Sequence, residues 1–129
     1  MTHPNVDRIR QSFEAYGQTD RGNVRDAFTE DVVFHVAGRN PYSGTYRGRQ
    51  EVFEMFGRRN DAAGGSMKLT VHSVVADDEH AVALLEVEAE RDGRAYSWRT
   101  AGIYHMRDGQ IAEAWGFNED QYAVDEFWS

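Results

Sequence analysis

The stretch that most restricts the fold is Tyr96 to Asn118, which reads YSWRTAGIYHMRDGQIAEAWGFN. Two apolar, aromatic-rich runs flank Asp108-Gly109, a dipeptide that reverses a chain tightly because Gly takes up positive φ at little cost. Arms of about ten residues are long enough for this hairpin to floor a small domain. It also gathers Trp98, Arg99, Tyr104, His105, Glu113, Trp115 and Asn118. Which of these face inward depends on the turn, because a slip of one residue sends every side chain to the opposite face. A two-residue turn pairs Arg107 with Gln110 and puts Trp98, Tyr104, Glu113, Trp115 and Phe117 together. Glu113 and Tyr104 then make an acid/base pair, with burial raising the carboxyl's pKa. A three-residue turn with Gly109 as a bulge pairs Met106 with Gln110 instead. In that register Trp98, Gly102, Tyr104, Ala112, Ala114, Gly116 and Asn118 share one face, and Arg99, His105, Glu113 and Trp115 the other. The second register is preferred, because small residues on the last strand leave room for a ligand under packed helices.

Ahead of the hairpin, Val6, Ile9, Phe13 and Tyr16 recur at helical spacing from a start at Pro4 or Asn5, and Gly17 stops the helix. Asp20 caps a short second helix with Val24, Ala27 and Phe28 inward. Asp31 to Ala37 is dense in β-branched and aromatic residues and reads as a strand. The glycine-punctuated segment Gly38 to Gly48 reads as a loop, and Arg49 to Asn60 as a third helix with Val52, Phe53 and Phe56 inward. Strands follow at Met67 to Ala76 and His80 to Glu90. The tail DQYAVDEFWS reads as a short helix or ordered arm, since Tyr122, Phe127 and Trp128 are costly to leave in water. Helices first and a meander last predict an α+β domain, helices on one face of a curved antiparallel sheet, spanning residues 1–129 as one unit.

Composition excludes several classes. At 129 residues without cysteine, the chain can build a core unaided and has no disulfide, thiolate metal site or cysteine nucleophile. A net charge of −8 disfavours nucleic acid and anionic membranes as partners. No signal-peptide pattern or membrane-length apolar run occurs, so a soluble cytoplasmic protein is expected. His3, His72 and His80 read as surface residues, no metal-ligating spacing is present, and no metal or cofactor is expected.

The order of elements resembles the nuclear transport factor 2-like superfamily, with its cystatin-like α+β fold, and within it ketosteroid isomerase-like and SnoaL-like polyketide cyclase proteins. The residues that carry the resemblance are FEAYGQTD, AFTEDVVFHVAG, GRNPYSGTYRGRQEV and IYHMRDGQIAEAW, which together span nearly the whole chain. The resemblance implies a cone of sheet wrapped on three helices, an apolar pocket inside it, and a homodimer paired through the outer sheet face. It is specific for fold and weak for chemistry, since the fold hosts isomerases, cyclases, hydrolases and non-enzymes.

Carried onto this chain, the isomerases' Asp general base falls on His35 when counted back from Gly38, Pro41 and Ser43-Gly44. Counted forward from Asp31 it falls on Val36. A histidine there would shuttle protons near neutral pH; its structural alternative is a residue bonded to the loop backbone or set in the dimer interface. The isomerases' oxyanion-binding Tyr falls on Phe13, which has no hydroxyl, with Tyr16 one turn on as a substitute. Their acidic hydrogen-bond donor aligns near Gly102 or Tyr104. The carboxylate of SnoaL-like cyclases falls on Glu119 or Asp120, where capping of the C-terminal segment is the simpler role. The expected machinery is therefore His35, Tyr104 and Asn118, with Tyr104, Tyr16 or Asn118 holding an oxyanion. Phe13, Phe34, Tyr46, Phe53, Phe56 and Trp98, with Glu113 and Trp115 in the alternative register, would contact a small apolar or carbonyl-bearing ligand. The rival reading is a ligand-binding or dimerisation module without catalysis.

Overall fold

A computed structural model of the chain describes residues 2–16 and 22–129, with the backbone alone at 15, 16, 22 and 23. Helix α1 is Pro4–Tyr16 and α2 is Gly22–Arg25; strands β1 (Phe28–Val36) and β2 (Gly44–Arg47) precede α3 (Gly48–Ala62). Strands β3 (Lys68–Ala76), β4 (His80–Arg91), β5 (Arg94–Arg107) and β6 (Gln110–Asn118) follow, and α4 is Gln121–Trp128. The six strands form one curved sheet in the order β2-β1-β6-β5-β4-β3. Every pairing is antiparallel except β1 with β6, so the sheet is mixed.

Period-two alternation decides which face of the sheet is buried. Along β4, Ala81, Ala83, Leu85, Val87 and Ala89 are buried, while the residues between them face out. Val6 and Ile9 of α1 and Val52, Met55 and Phe56 of α3 pack onto that inner face with Tyr104, Met106, Ile111 and Ala114. A second cluster joins Val124, Phe127 and Trp128 of α4 to Ala63 and Ala89. Asp120 caps α4 by accepting a hydrogen bond from the Ala123 N–H at 3.1 Å, and Arg91 Nη1 donates to the Phe127 and Ser129 carbonyls at 2.7 Å. The tail is a docked helix because its aromatic residues have a place to be buried.

Three local expectations are corrected. Phe28 opens β1 rather than lying in the second helix; it pairs with Ile111 of β6, and its ring meets Phe53 edge-on at 5.6 Å. The loop at Gly38 to Gly48 contains β2, a short, largely exposed edge strand whose four residues have no apolar alternation to reveal them. In α3, Met55 is fully buried while Phe53 is only partly so. The expected Gly17 stop and Asp20 cap lie outside the described residues.

The hairpin combines the two registers. Its turn is the two-residue kind: Arg107 pairs with Gln110, and Asp108 (φ 51°) and Gly109 (φ 81°) both take the left-handed conformation such a turn needs. Pairing then shifts, because Met106 opposes Ile111 while His105 opposes Glu113, leaving Ala112 as a bulge. From His105 onward the faces divide as in the second register. Ala112 does not join the inner face; Ile111 is buried there instead.

Candidate functional site

Between the helices and the inner face of the sheet lies a cavity of about 160 Å³. Phe13 of α1, Phe56 and Arg59 of α3, and Phe34 and Val36 of β1 form one wall. Trp98, Thr100, Gly102 and Tyr104 of β5, with Gly116 and Asn118 of β6, form the floor. The 37–43 loop adds Asn40 and Tyr42, and α4 adds Val124 and Trp128. None of the described lining residues is Asp or Glu.

Tyr104 dominates this space. It is 6% exposed, and its hydroxyl is directed along the strand over Gly102, where a Cβ would collide with it. Gly102 is thus required by close approach. Among the described residues the Tyr104 hydroxyl has no hydrogen-bond partner. Burial pushes its pKa far above the ordinary phenol value, so it remains a donor at every physiological pH.

Several other polar groups near the cavity are tied to one another. Asn118 Nδ2 donates to Gln121 Oε1 at 2.8 Å, Gln121 Nε2 donates to Asp125 Oδ1 at 3.0 Å, and Asn40 Nδ2 donates to the same oxygen at 2.9 Å. This chain of amides ties the 37–43 loop to α4. Gly38 (φ 91°) lies so close that a Cβ would meet both Asp125 and Gln121. Partial burial works to raise the Asp125 pKa, but hydrogen bonds from Asn40, Gln121 and the Arg39 N–H, with the Arg39 charge, outweigh it and hold the acid below its usual value. Ser12 Oγ donates to the Ile9 carbonyl at 2.7 Å.

His35 is not turned toward this cavity. It borders the space, but Phe34 packs inward against Phe56, so alternation sends the His35 ring to the outer face. There its Nε2 meets Glu113 Oε2 at 2.7 Å, its Nδ1 meets Thr45 Oγ1 at 3.0 Å, and its ring stacks on Trp115 with centroids 5.2 Å apart. Glu113 Oε1 lies 3.4 Å from His105 Nδ1, and His105 meets Trp115 edge-on. Val36, the position given by the forward count from Asp31, is the residue that packs inward.

Of the expected contact residues, Phe13, Phe34, Phe56, Trp98, Tyr104 and Asn118 line the cavity. Tyr46 does not; it packs against the core and donates its hydroxyl to the Tyr42 carbonyl at 2.8 Å. Phe53 is taken up by edge-on contacts with Phe28 and Phe56. Glu113 is on the outer face, and Trp115 borders the cavity while stacking outward. The Tyr16 side chain lies outside the described residues. Glu119 pairs with Arg99 at 3.3 Å, and Asp120 is a helix cap. Sequence reasoning missed Arg59, Asn40, Tyr42 and Trp128. The helical spacing of Phe56 and Arg59 (three residues apart, one face) is the signal that could have found Arg59.

Comparison with known proteins places this architecture. The family model for the SnoaL-like domain matches residues 9–114. An uncharacterised protein of Mycobacterium tuberculosis is 28% identical over 125 residues, covering 96% of this chain and 95% of its own length. The structure of Bal32a, from a soil-derived mobile gene cassette, superposes with a TM-score of 0.93 at 27% identity, covering 97% of this chain and 96% of Bal32a. That of TerC, co-crystallised with polyporic acid, superposes with a TM-score of 0.86 at 19% identity, covering 97% and 98%. Family match and superposition agree with a curved, unclosed sheet packed on helices, and the chain belongs to the SnoaL-like domain family.

Proposed function

We propose that this SnoaL-like protein binds a compact, largely apolar small molecule and holds one acceptor atom of it, such as a carbonyl oxygen, with the Tyr104 hydroxyl. The observation that carries this reading is that hydroxyl: buried, kept protonated, aimed into an aromatic cavity and without a partner among the described residues. A ligand acceptor placed there would take a hydrogen bond in surroundings where water competes weakly. TerC, of the same fold, was co-crystallised with polyporic acid, in keeping with a small-molecule role.

Ligand binding is better supported than proton transfer. Both His35 nitrogens are occupied on the outer face, and the described cavity wall has no carboxylate to act as a base. The test is a thermal-shift and calorimetric screen of small carbonyl compounds against Tyr104→Phe and His35→Ala. Tyr104→Phe should leave stability within about 1 kcal/mol of the parent, because the hydroxyl has no partner among the described residues, yet weaken binding about five- to tenfold. His35→Ala should bind as the parent does. The reverse pattern would overturn the reading.

We further propose that two copies pair through the outer face. Val75 (63% exposed), Leu84 (45%) and Phe117 (56%) lie there beside Ile103 and Trp115, a cluster of apolar side chains that a second copy would cover. Leu84→Arg should convert a dimer to monomer in sedimentation velocity, and a parent sedimenting as a monomer at high concentration would refute the pairing.

A further inference from the structure

The segment between β1 and β2 is built differently from the rest of the cavity wall. Ala37, Asn40 and Tyr42 line the cavity, while Gly38, Arg39, Pro41 and Gly44 are exposed to solvent. The segment holds its own shape. Asn40 N–H donates to Ser43 Oγ at 3.0 Å, and Tyr42 N–H donates to Asn40 Oδ1 at 2.9 Å. Ser43 N–H donates to the Asn40 carbonyl at 3.1 Å, and Ser43 Oγ to the Ala37 carbonyl at 3.1 Å. Pro41 fixes one more backbone angle. Glycines with positive φ stand at both ends, Gly38 at 91° and Gly44 at 137°, and the β1–β2 ladder begins at the Val36–Gly44 pair. A stiff turn between two residues of wide conformational range is the construction of a hinged body.

What holds this body shut is largely polar. Asp125 of α4 accepts from Asn40 Nδ2 at 2.9 Å and from the Arg39 N–H, and the Tyr42 ring meets Trp128 edge-on at 5.2 Å. The Tyr46 hydroxyl adds its bond to the Tyr42 carbonyl. The other described walls are closed by strand ladders or apolar packing: Ile9 of α1 and Val52 and Met55 of α3 are fully buried, and Phe127 and Trp128 anchor α4. Water can replace a hydrogen bond at little net cost, whereas parting two apolar faces exposes their whole area. Among the described walls, the seam at Asn40 and Asp125 is therefore the one that opens most easily. We infer that residues 39–43 are a flap, hinged at Gly38 and Gly44 and latched on Asp125, and that the ligand enters the cavity beneath it. Ligand entry rests on the proposal that the cavity receives a small molecule; the flap itself does not.

Because the chain has no cysteine, a single introduced thiol reports access to the cavity. Thr100→Cys puts one on the cavity floor, and Val52→Cys puts one in the fully buried core, off the cavity wall. Each is treated with methyl methanethiosulfonate, and the rate of modification is followed by mass spectrometry. Asn40→Asp keeps the acceptor that the Tyr42 N–H uses but sets two carboxylates against each other at the latch. It should speed labelling of Thr100→Cys about tenfold and leave that of Val52→Cys unchanged. Adding Asp125→Asn gives the latch a donor again, with the roles exchanged, and should restore the slow rate. Unaltered labelling with Asn40→Asp, a parallel rise at Val52→Cys, or no recovery in the double variant would each overturn the flap. Acetophenone separates this result from the proposed function: in NMR exchange measurements, Asn40→Asp should speed its association and dissociation together. Should acetophenone bind in a Tyr104-dependent way at rates indifferent to Asn40→Asp, the flap fails as the entrance and the proposed function stands. If thiol labelling follows the latch while no carbonyl compound binds, the flap stands and the proposed function fails.

Discussion

The two faces of the β5–β6 hairpin are built from the same twenty-odd residues and solve opposite problems. On the outer face the charged groups are paired: Glu113 serves His35 and His105, Arg99 meets Glu119, and Arg107 meets Asp31. On the inner face the Tyr104 hydroxyl has no partner among the described residues, set amid aromatic rings and glycines. A polar network near water adds little stability, because solvent competes for each bond. A hydroxyl facing an apolar cavity keeps its hydrogen-bonding capacity for whatever enters. These outer-face charges are therefore partnered, and the inner-face hydroxyl, among the described residues, is not. Histidines and a carboxylate in contact are the more familiar picture of a site, yet here the sparser face is the one prepared for a ligand.

The most severe way to break this contrast is to delete Ala112. Without the bulge the pairing stays in the register of the turn, and Glu113 and Trp115 move inside while Ala114 and Gly116 move out. A loss of at least about 4 kcal/mol is expected, enough to abolish cooperative thermal unfolding; a deletion variant that melts like the parent would show that the bulge does not set the faces. A smaller disturbance is Gly102→Ala, whose methyl collides with the Tyr104 ring and hydroxyl. It should cost about 1–3 kcal/mol in denaturant melts, partly recovered when combined with Tyr104→Phe.

On the outer face, Glu113→Gln should change stability by about 0–1 kcal/mol, since Glu113 and His35 are each roughly a third exposed, and should leave ligand binding unaltered. The smallest expected effect is a pH dependence at α4. Because Asp125 ionises more readily folded than unfolded, its contribution is present above its ordinary value of 3.8 and is lost as pH falls through the lower folded value. Trp128 fluorescence should report loosening of α4 only in that acidic range, and Asp125→Asn should remove the dependence.

Much of the fold was legible because periodicity reports burial directly. The α1 stripe, the alternation of β4 and the aromatic tail each say which side is covered, and the resemblance carried by AFTEDVVFHVAG and IYHMRDGQIAEAW supplied the topology. The site was less legible for a counting reason. His35 and Val36 are adjacent, and a one-residue ambiguity in β1 decides which of them faces the cavity; the answer lies in Phe34 packing on Phe56, a contact between distant segments. The hairpin posed the same difficulty twice, because Asp108-Gly109 sets the turn while Ala112, an unremarkable residue in sequence, sets the faces. Arg59, Asn40 and Trp128 come from three separate elements, and local pattern cannot bring them together.

The parallel pairing of β1 with β6 has a kinetic consequence. The β5–β6 hairpin can close by itself within microseconds, as local contacts do. Phe34 and Val36 reach the cavity only when a strand from the first third of the chain docks beside the last strand, and such long-range closures are slow. During refolding, then, the hairpin should gain protection from hydrogen exchange before the β1 amides do. Ligand-binding competence should appear with the later phase, making the arrival of β1 the event that turns a folded ribbon into a receptacle.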